Sequence, residues 1–545
     1  MTSQPTPPVR RTSCADALMR LMRAYDIEVV FSIPGVHTIE FYRSFPERGL
    51  RHVTPRHEQG AAMMAYGYGF ATGRPACCML ITGPGLVNAA TGIAEGTADS
   101  IPMLVIAANN LVSEIGVGRG ALHETRSQFA IEEQVAGFAH QLLDPANAPE
   151  IMHRAMSLLQ AARPRPAIIE IPRDLLAAPV ELVEHARPAV APPAPEPTAL
   201  AAAAELLKAA RRPLIIAGGG ARHAAAELRG LAEAQALPVV TTTAGKGILP
   251  EDHPLALGGT LPFRPVQERI AAADAVLAIG TELGETDLLY TGRSYAFAPG
   301  ALIRVDIDPR QLTMNHHPGI ALVSDAAAAA RALAQAMEPD ATPETRAERE
   351  REVAALRAAL KGQWSAEADR HKLILDAMAG VLDADALICA DSTQIAYTGS
   401  HYYPSRHPGC WLFPSGYGTL GTALPAAIGA RLGCPERQAV ALAGDGSLLY
   451  TLPELATAVE NRLGLPVIVW NNRAYGEIRD AMQGAQIPTI GVDLQTPDFV
   501  TIARGFGCEG VLIESVEQFR GALRASFDLD RPTLLQIDSD APFLG

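Results

Sequence analysis

Two short polar signatures, Gly444-Asp445-Gly446 and Asn471-Asn472, limit what this chain can fold into more than any other feature, because Asp445 and Asn472 stand 27 residues apart. The flanks are apolar: Ala439 to Ala443 and Leu465 to Trp470 read as strands, and Thr451 to Asn461 between them has helical character. That is a strand-helix-strand unit. Its right-handed crossover sets the carboxyl ends of two parallel strands side by side, where α/β folds take their ligands. Asp445 and Asn472 are therefore expected at neighbouring strand tips. A carboxylate, an amide oxygen and a backbone carbonyl are hard oxygen donors of the kind magnesium takes, the remainder coming from phosphate and water. Gly444 and Gly446 let a diphosphate approach the backbone, and the helix expected after them offers unpaired N–H groups at a positive dipole end. The pair predicts a magnesium-diphosphate site. A glycine turn beside an unrelated Asn pair is the plainer alternative, and crossover spacing argues against it.

A chain of 545 residues exceeds what one hydrophobic core holds, so about three domains are expected. Two stretches break the pattern. Glu184 to Pro197 carries Pro188, Pro192, Pro193, Pro195 and Pro197, and Glu338 to Glu352 is charged and carries Pro339 and Pro343. The expected domains are then residues 10–183, 198–337 and 353–545. Each alternates apolar runs with helical stretches, for example Val29 to Ser32, Cys77 to Thr82 and Met103 to Ala107 in the first, and Leu214 to Ala217, Val276 to Ile279 and Leu302 to Asp306 in the second. This predicts an α/β protein of three doubly wound parallel-sheet domains. In the middle block Gly218-Gly219-Gly220 follows a strand, but without the full dinucleotide fingerprint it reads as a tight turn, and no flavin is expected.

A net charge of −14 argues against nucleic acid or an anionic membrane as the main partner and favours a small-molecule ligand. The seven cysteines are scattered without CxxC spacing, which disfavours a disulfide framework or a zinc site. No signal-like apolar core or membrane-length apolar run occurs, so the cytoplasm is the expected compartment.

Further motifs run nearly end to end: FSIPG (Phe31 to Gly35), RHEQGAAMMAYGYGFATG (Arg56 to Gly73), TGPGLVNAATGIAEG (Thr82 to Gly96), IPRDL (Ile171 to Leu175) and GYGTLGTALPAAIGA (Gly416 to Ala430). With them the chain resembles the thiamine-diphosphate-dependent 2-oxo acid decarboxylase and acetolactate synthase superfamily. The resemblance implies a pyrimidine-binding first domain, a central domain and a diphosphate-binding last domain, with each active site between two chains. A homodimer at least, and commonly a homotetramer, follows from it. Glu58 matches the glutamate that bonds the cofactor's pyrimidine ring, against the alternative that it merely favours a helix start. Leu420 matches the apolar residue that holds the cofactor bent. Asp445, Asn472 and the carbonyl of Ala474 match the ligands of Mg2+. Gly446, Ser447, Thr393 and Gln394 match positions touching the diphosphate or its loop, and Gly35, Gly444 and Tyr475 complete the expected cofactor contacts.

Substrate choice is less marked. The chain lacks the paired adjacent histidines of pyruvate decarboxylases, and Ile81 stands about where benzoylformate decarboxylases carry a catalytic histidine. His123, in GRGALHET (Gly118 to Thr125), is the candidate acid/base, with a surface histidine as the alternative. GVHTIEFYR (Gly35 to Arg43), LHE (Leu122 to Glu124), GTELGETD (Gly280 to Asp287), AYGEIR (Ala474 to Arg479) and IGVDLQTPDF (Ile490 to Phe499) resemble 5-guanidino-2-oxopentanoate (2-ketoarginine) decarboxylases. A guanidinium needs a carboxylate of matching fork geometry, and Glu282, Glu285, Asp287 and Glu477 are the candidates, each open to being a solvated surface charge instead. The expected activity is thiamine-diphosphate- and Mg-dependent decarboxylation of a basic 2-oxo acid. A carboligase of the acetolactate synthase kind and a catalytically silent cofactor-binding subunit are the alternatives.

Overall fold

The computed structural model describes residues 9–183, 190–288, 294–338 and 341–545. Three six-stranded sheets follow one another along the chain. Every strand pairing within them is parallel. Their strands are short runs of Val, Ile, Leu, Ala and Cys buried on both faces, as sheets covered by helices on each side require. A small antiparallel pair, Val9–Ser13 with Pro179–Val183, ties the start of the first unit to its end.

In each sheet the chain builds outward from an inner strand, then returns to the other side of it. The reversal falls between Val29–Ser32 and Cys77–Leu80 in the first sheet, between Pro213–Ala217 and Ala275–Ile279 in the second, and between Leu387–Ala390 and Ala439–Gly444 in the third. Crevices open at such reversals, beyond the carboxyl ends of the strands. In the central sheet the crevice is partly closed by glycines: a Cβ at Gly218 would strike the carbonyl of Gly280, and one at Gly220 would lie 3.0 Å from the Gly280 Cα. Tight packing of turn on turn accounts for those glycines.

The first and third units are joined by two crossing helices, Glu58–Thr72 and Ala423–Gly433. Both are buried along most of their length, and a Cβ at Gly67 would run into the Ala426 carbonyl while one at Gly429 would run into that of Met64. Glycine at these two positions lets the backbones touch, and one hydrophobic cluster consequently spans both units.

Two sequence expectations differ from the structure. The helix directly after Gly444 is a single turn, Asp445–Leu448, and the longer Glu454–Glu460 helix begins only after a further turn, so the diphosphate crevice has little helix dipole behind it. The charged stretch read as a break, Glu338 to Glu352, contains most of a long helix, Pro343–Leu360, capped by the Thr342 hydroxyl with proline in its first turn. Its Val353 and Leu360 enter a core cluster of the central unit, and Glu352 binds Arg269 at 2.8 Å. Its charges face outward from an anchored stripe, which composition alone does not reveal. The first expected break, Glu184 to Pro197, lies partly outside the described residues. Among the described residues no helix is long and apolar enough to cross a membrane.

Candidate cofactor site

The strands Ala439–Gly444 and Pro466–Asn471 are neighbours, and their register pairs Gly444 with Trp470. Asp445 and Asn472 thus emerge one after each tip. They line a cleft of about 370 Å3 together with Thr393, Gln394, Leu420, Gly444, Gly446, Ser447, Ala474, Tyr475 and Glu477. Of the residues singled out in the third unit, all lie on this cleft. Among the described residues, only Thr243 and Thr286 reach it from the central unit, and none of the first unit lines it.

Its chemistry suits a metal-bound diphosphate. Asp445 is buried, accepts backbone N–H bonds from the Asn472 and Arg473 turn, and keeps Oδ2 without a partner. Burial raises its carboxyl above the ordinary range, a cost that a bound cation would reverse. Asn472 receives the Ala474 N–H on Oδ1 at 3.0 Å. Between them Arg473 takes a left-handed φ of 53°, held by Asp538 and Asp540, each at 3.1 Å, and this turn carries Ala474 back across the cleft. A Cβ on Gly444 would lie 2.8 Å from Thr393 Oγ1, and one on Gly446 2.9 Å from Tyr475 and Leu494, so both glycines leave space at the cleft wall. Asp445, Asn472 and the Ala474 carbonyl would hold the metal, and the Gly446–Ser447 turn would hold phosphate oxygens.

Sequence reasoning passes over Asp391, which ends the other strand at the same reversal. It is buried, accepts the Thr422 N–H at 2.9 Å and binds Ser447, and burial pushes its carboxyl up to about 6. Its place one residue beyond an apolar strand was the available signal. Ser447 Oγ in turn receives the Gly421 N–H at 3.1 Å, so the turn carrying Leu420 is fastened to the diphosphate loop.

The two units also clasp each other through buried carboxylates. From the third unit, Glu454 accepts the N–H groups of Arg56 at 3.0 Å and His57 at 3.1 Å, immediately before Glu58. From the first, Asp99 accepts the Gly416 N–H at 2.9 Å, and Glu95 those of Tyr417 at 3.3 Å and Thr419 at 3.0 Å, immediately before Leu420. Burial and the adjacent Glu95 push the Asp99 carboxyl well above the ordinary range.

The sequence-selected residues of the first unit gather on a separate face at the reversal of its own sheet. Glu58 opens its helix and accepts the Asn88 amide at 3.0 Å. Gly35 packs directly on Ile81. His123, with a left-handed φ of 62°, lays its ring 5.5 Å from that of His37, and His37 Nδ1 bonds Thr82 Oγ1 at 2.7 Å. His37 is buried, and burial, Arg173 and His123 all lower its pKa. It lay unmarked inside GVHTIEFYR because a lone histidine carries no signal until its neighbours are known. Val36, Ile39, Val87 and Leu122 surround this face with half or more of their surfaces exposed.

The four candidate substrate acids separate. Glu477 lines the cleft, and burial, Asp480 and Glu367 raise its carboxyl. Glu282 and Asp287 instead line a second cavity of about 730 Å3 between the units. There Glu282 is engaged by Arg163 at 2.5 Å, and burial with the nearby Glu282 pushes Asp287 up to about 7. Glu285 is exposed and lines neither. Only Thr286 of this loop borders both spaces.

Three family models match the chain in order: the N-terminal TPP binding domain of thiamine pyrophosphate enzymes over residues 12–131, their central domain over 200–333 and their C-terminal TPP binding domain over 391–537. A probable 2-ketoarginine decarboxylase of Pseudomonas aeruginosa is 44% identical over 98% of this chain and 95% of its own length. The large subunit of acetolactate synthase isozyme 1 of Escherichia coli is 32% identical over 98% of this chain and 95% of its own. A probable acetolactate synthase large subunit of Methanocaldococcus jannaschii is 30% identical, covering 96% and 92%.

Proposed function

The chain belongs to the thiamine pyrophosphate enzyme family, and from that premise we propose that it decarboxylates a basic 2-oxo acid, 5-guanidino-2-oxopentanoate foremost, to the aldehyde and CO2. The thiamine pyrophosphate domains and the relative named a probable 2-ketoarginine decarboxylase support thiamine diphosphate-dependent decarboxylation of a 2-oxo acid. Bound thiamine diphosphate would supply an acidic carbon and an electron sink for the electrons that CO2 leaves behind.

The chain's residues divide the remaining work. Asp445, Asn472 and Ala474 would hold Mg2+, and the Gly446–Ser447 turn would hold the diphosphate. Leu420, on the turn fastened by Glu95 and Asp99, would support the cofactor from the cleft wall. Glu58 would bond the pyrimidine nitrogen and govern its proton. His123, with His37 beside it, would supply the acid/base group that returns a proton to the substrate once CO2 has left. Glu58 and the two histidines lie on a face that does not line the same chain's cleft, and exposed Val36, Ile39, Val87 and Leu122 frame that face. A second copy brings face and cleft together, so the working unit is at least a homodimer.

Preference for a guanidinium rests on one observation: Glu477 stands on the cleft with Asp480 and Glu367 close enough to raise its carboxyl, leaving a local excess of negative charge at the mouth. Glu282, engaged by Arg163, has a smaller part. Purified enzyme supplied with thiamine diphosphate and Mg2+ is expected to release the guanidino aldehyde from 2-ketoarginine and little product from pyruvate. Acetoin-type product from pyruvate with no aldehyde from 2-ketoarginine would make it a carboligase instead. Silence with both would remove the activity.

A further inference from the structure

We propose that Asp480, outside the metal's own ligands, sets which atom of Asn472 faces the cation, by imposing a direction on two side-chain amides in series. The inference rests on the Mg2+ site proposed above. Asp480 sits on the Gly476–Gly484 helix, Gln394 opens the Gln394–Tyr402 helix, and Asn472 follows the Pro466–Asn471 strand. Gln394 Nε2 donates to Asp480 Oδ2 at 3.0 Å, and Asn472 Nδ2 donates to Gln394 Oε1 at 2.9 Å. Gln394 is 8% exposed, so its amide has few alternatives to these partners.

An ionised carboxylate can only accept. It therefore claims the NH2 end of Gln394 and turns its oxygen toward Asn472. That oxygen in turn claims the NH2 end of Asn472, leaving Oδ1 as the atom free to turn to the cleft. Amide nitrogen and oxygen have nearly the same shape, and orientation in such groups is decided by the hydrogen-bond network. A chain of two amides can run in either direction, decided by what holds its two ends, and one direction presents a donor to a cation. Asp480 holds the far end. The Ala474 N–H, donated to Asn472 Oδ1 at 3.0 Å, requires the same orientation from the other side. Gly476 makes the arrangement possible, since a Cβ there would lie 2.5 Å from Asn472 Nδ2 and 2.8 Å from Gln394 Oε1. Asp480 is thus a positioning residue that acts through Gln394.

Direction and charge make different forecasts, and Mn2+ binding at saturating thiamine diphosphate, read from the electron paramagnetic resonance signal of the free ion, separates them. Asp480→Asn removes the charge and retains an acceptor, and is expected to bind Mn2+ within about twofold of the unaltered enzyme. Asp480→Lys offers only donors, reverses the chain, and is expected to weaken Mn2+ about tenfold, the lower range for an outer partner of a metal ligand. In an Asn472→Asp background either end of residue 472 presents oxygen, so Asp480→Lys should there cost almost nothing. A tenfold loss in Asp480→Asn, no loss in Asp480→Lys, or an equal loss in both backgrounds would each overturn the proposal, leaving a charge effect or none. Failure of the unaltered enzyme to bind Mn2+ with thiamine diphosphate would instead remove the metal site itself.

Discussion

The cleft of the third unit and the open face of the first occupy equivalent places, each at the reversal of a six-stranded parallel sheet, yet they are built in opposite ways. The cleft carries fixed polar groups and is largely preset: Asp445 and Asn472 are already turned together by backbone N–H groups and side-chain amides. The face carries the Glu58 carboxylate, two histidines meeting edge to face and a surround of exposed aliphatic side chains. A diphosphate and its cation need fixed oxygens and donors, because any reorganisation subtracts from binding. Proton-transfer groups need an apolar surround, and the aliphatic side chains around this face stand exposed among the described residues. The difference teaches that the third unit is built to anchor a ligand while the first offers an open face, which the proposed homodimer would close.

The sharpest way to break this division is to disable each side separately. Glu58→Gln is expected to retain thiamine diphosphate, measured by calorimetry, and to lose about 10²–10⁴-fold in turnover. Asp445→Asn should instead abolish cofactor retention at ordinary Mg2+ levels. Cofactor loss from the first or full turnover by the second would dissolve the distinction.

The helix crossing that holds the two regions in one body comes next. Gly429→Ala drives a methyl into the Met64 carbonyl and should lower stability by about 3 kcal/mol, seen in denaturant titration. An unchanged midpoint would mean that the helices can part at no cost.

The two regions should also respond to pH with opposite sign. In the third unit, burial lowers His371 and His401 to about 4. Unfolded, each titrates near 6.5, so the unfolded chain binds more protons in between; their stabilisation is full above about pH 6.5 and is lost as pH falls toward 4. At pH 5 each costs about 2 kcal/mol on this reckoning. In the first unit, burial and Glu170 push Glu132 up to about 9. Its contribution is complete below the ordinary glutamate range and is lost as pH rises through 9. His371→Gln should flatten the acid limb of a stability–pH curve and Glu132→Gln the alkaline limb; a swap of the two would refute the assignment.

The smallest effect concerns substrate choice at the cleft mouth. Glu477→Ala should raise KM for 2-ketoarginine about fivefold or less relative to an uncharged 2-oxo acid, as befits an exposed ion pair. Glu282→Ala should change that ratio less, and the reverse order would move the guanidinium toward the interunit cavity.

Much of the fold was readable before any coordinates. Val29–Ser32 and Leu302–Asp306 are strands with the ends their apolar runs suggest, and the crossover from Gly444 to Asn471 joins adjacent strands. Such features depend on local pattern and on the handedness of one connection. The Pro343–Leu360 helix was obscured because its high charge hides two anchoring residues. His37, Asp391, Glu454 and the Glu95–Asp99 pair were invisible for another reason: each matters through a partner distant along the chain, and a single buried polar residue has no periodicity to betray it.

By itself the sequence determined the three α/β units, the strand tips that carry Asp445 and Asn472, and the family, since these follow from short-range pattern, spacing and motif order. Only the tertiary structure decided that Glu477 reaches the cleft while Glu282 is taken by Arg163, that His37 rests on His123, and that Asp480 orients Asn472 through Gln394. Those outcomes turn on ångström-scale contacts between segments far apart in sequence, where direction and distance, and no longer residue type, determine what a side chain can do.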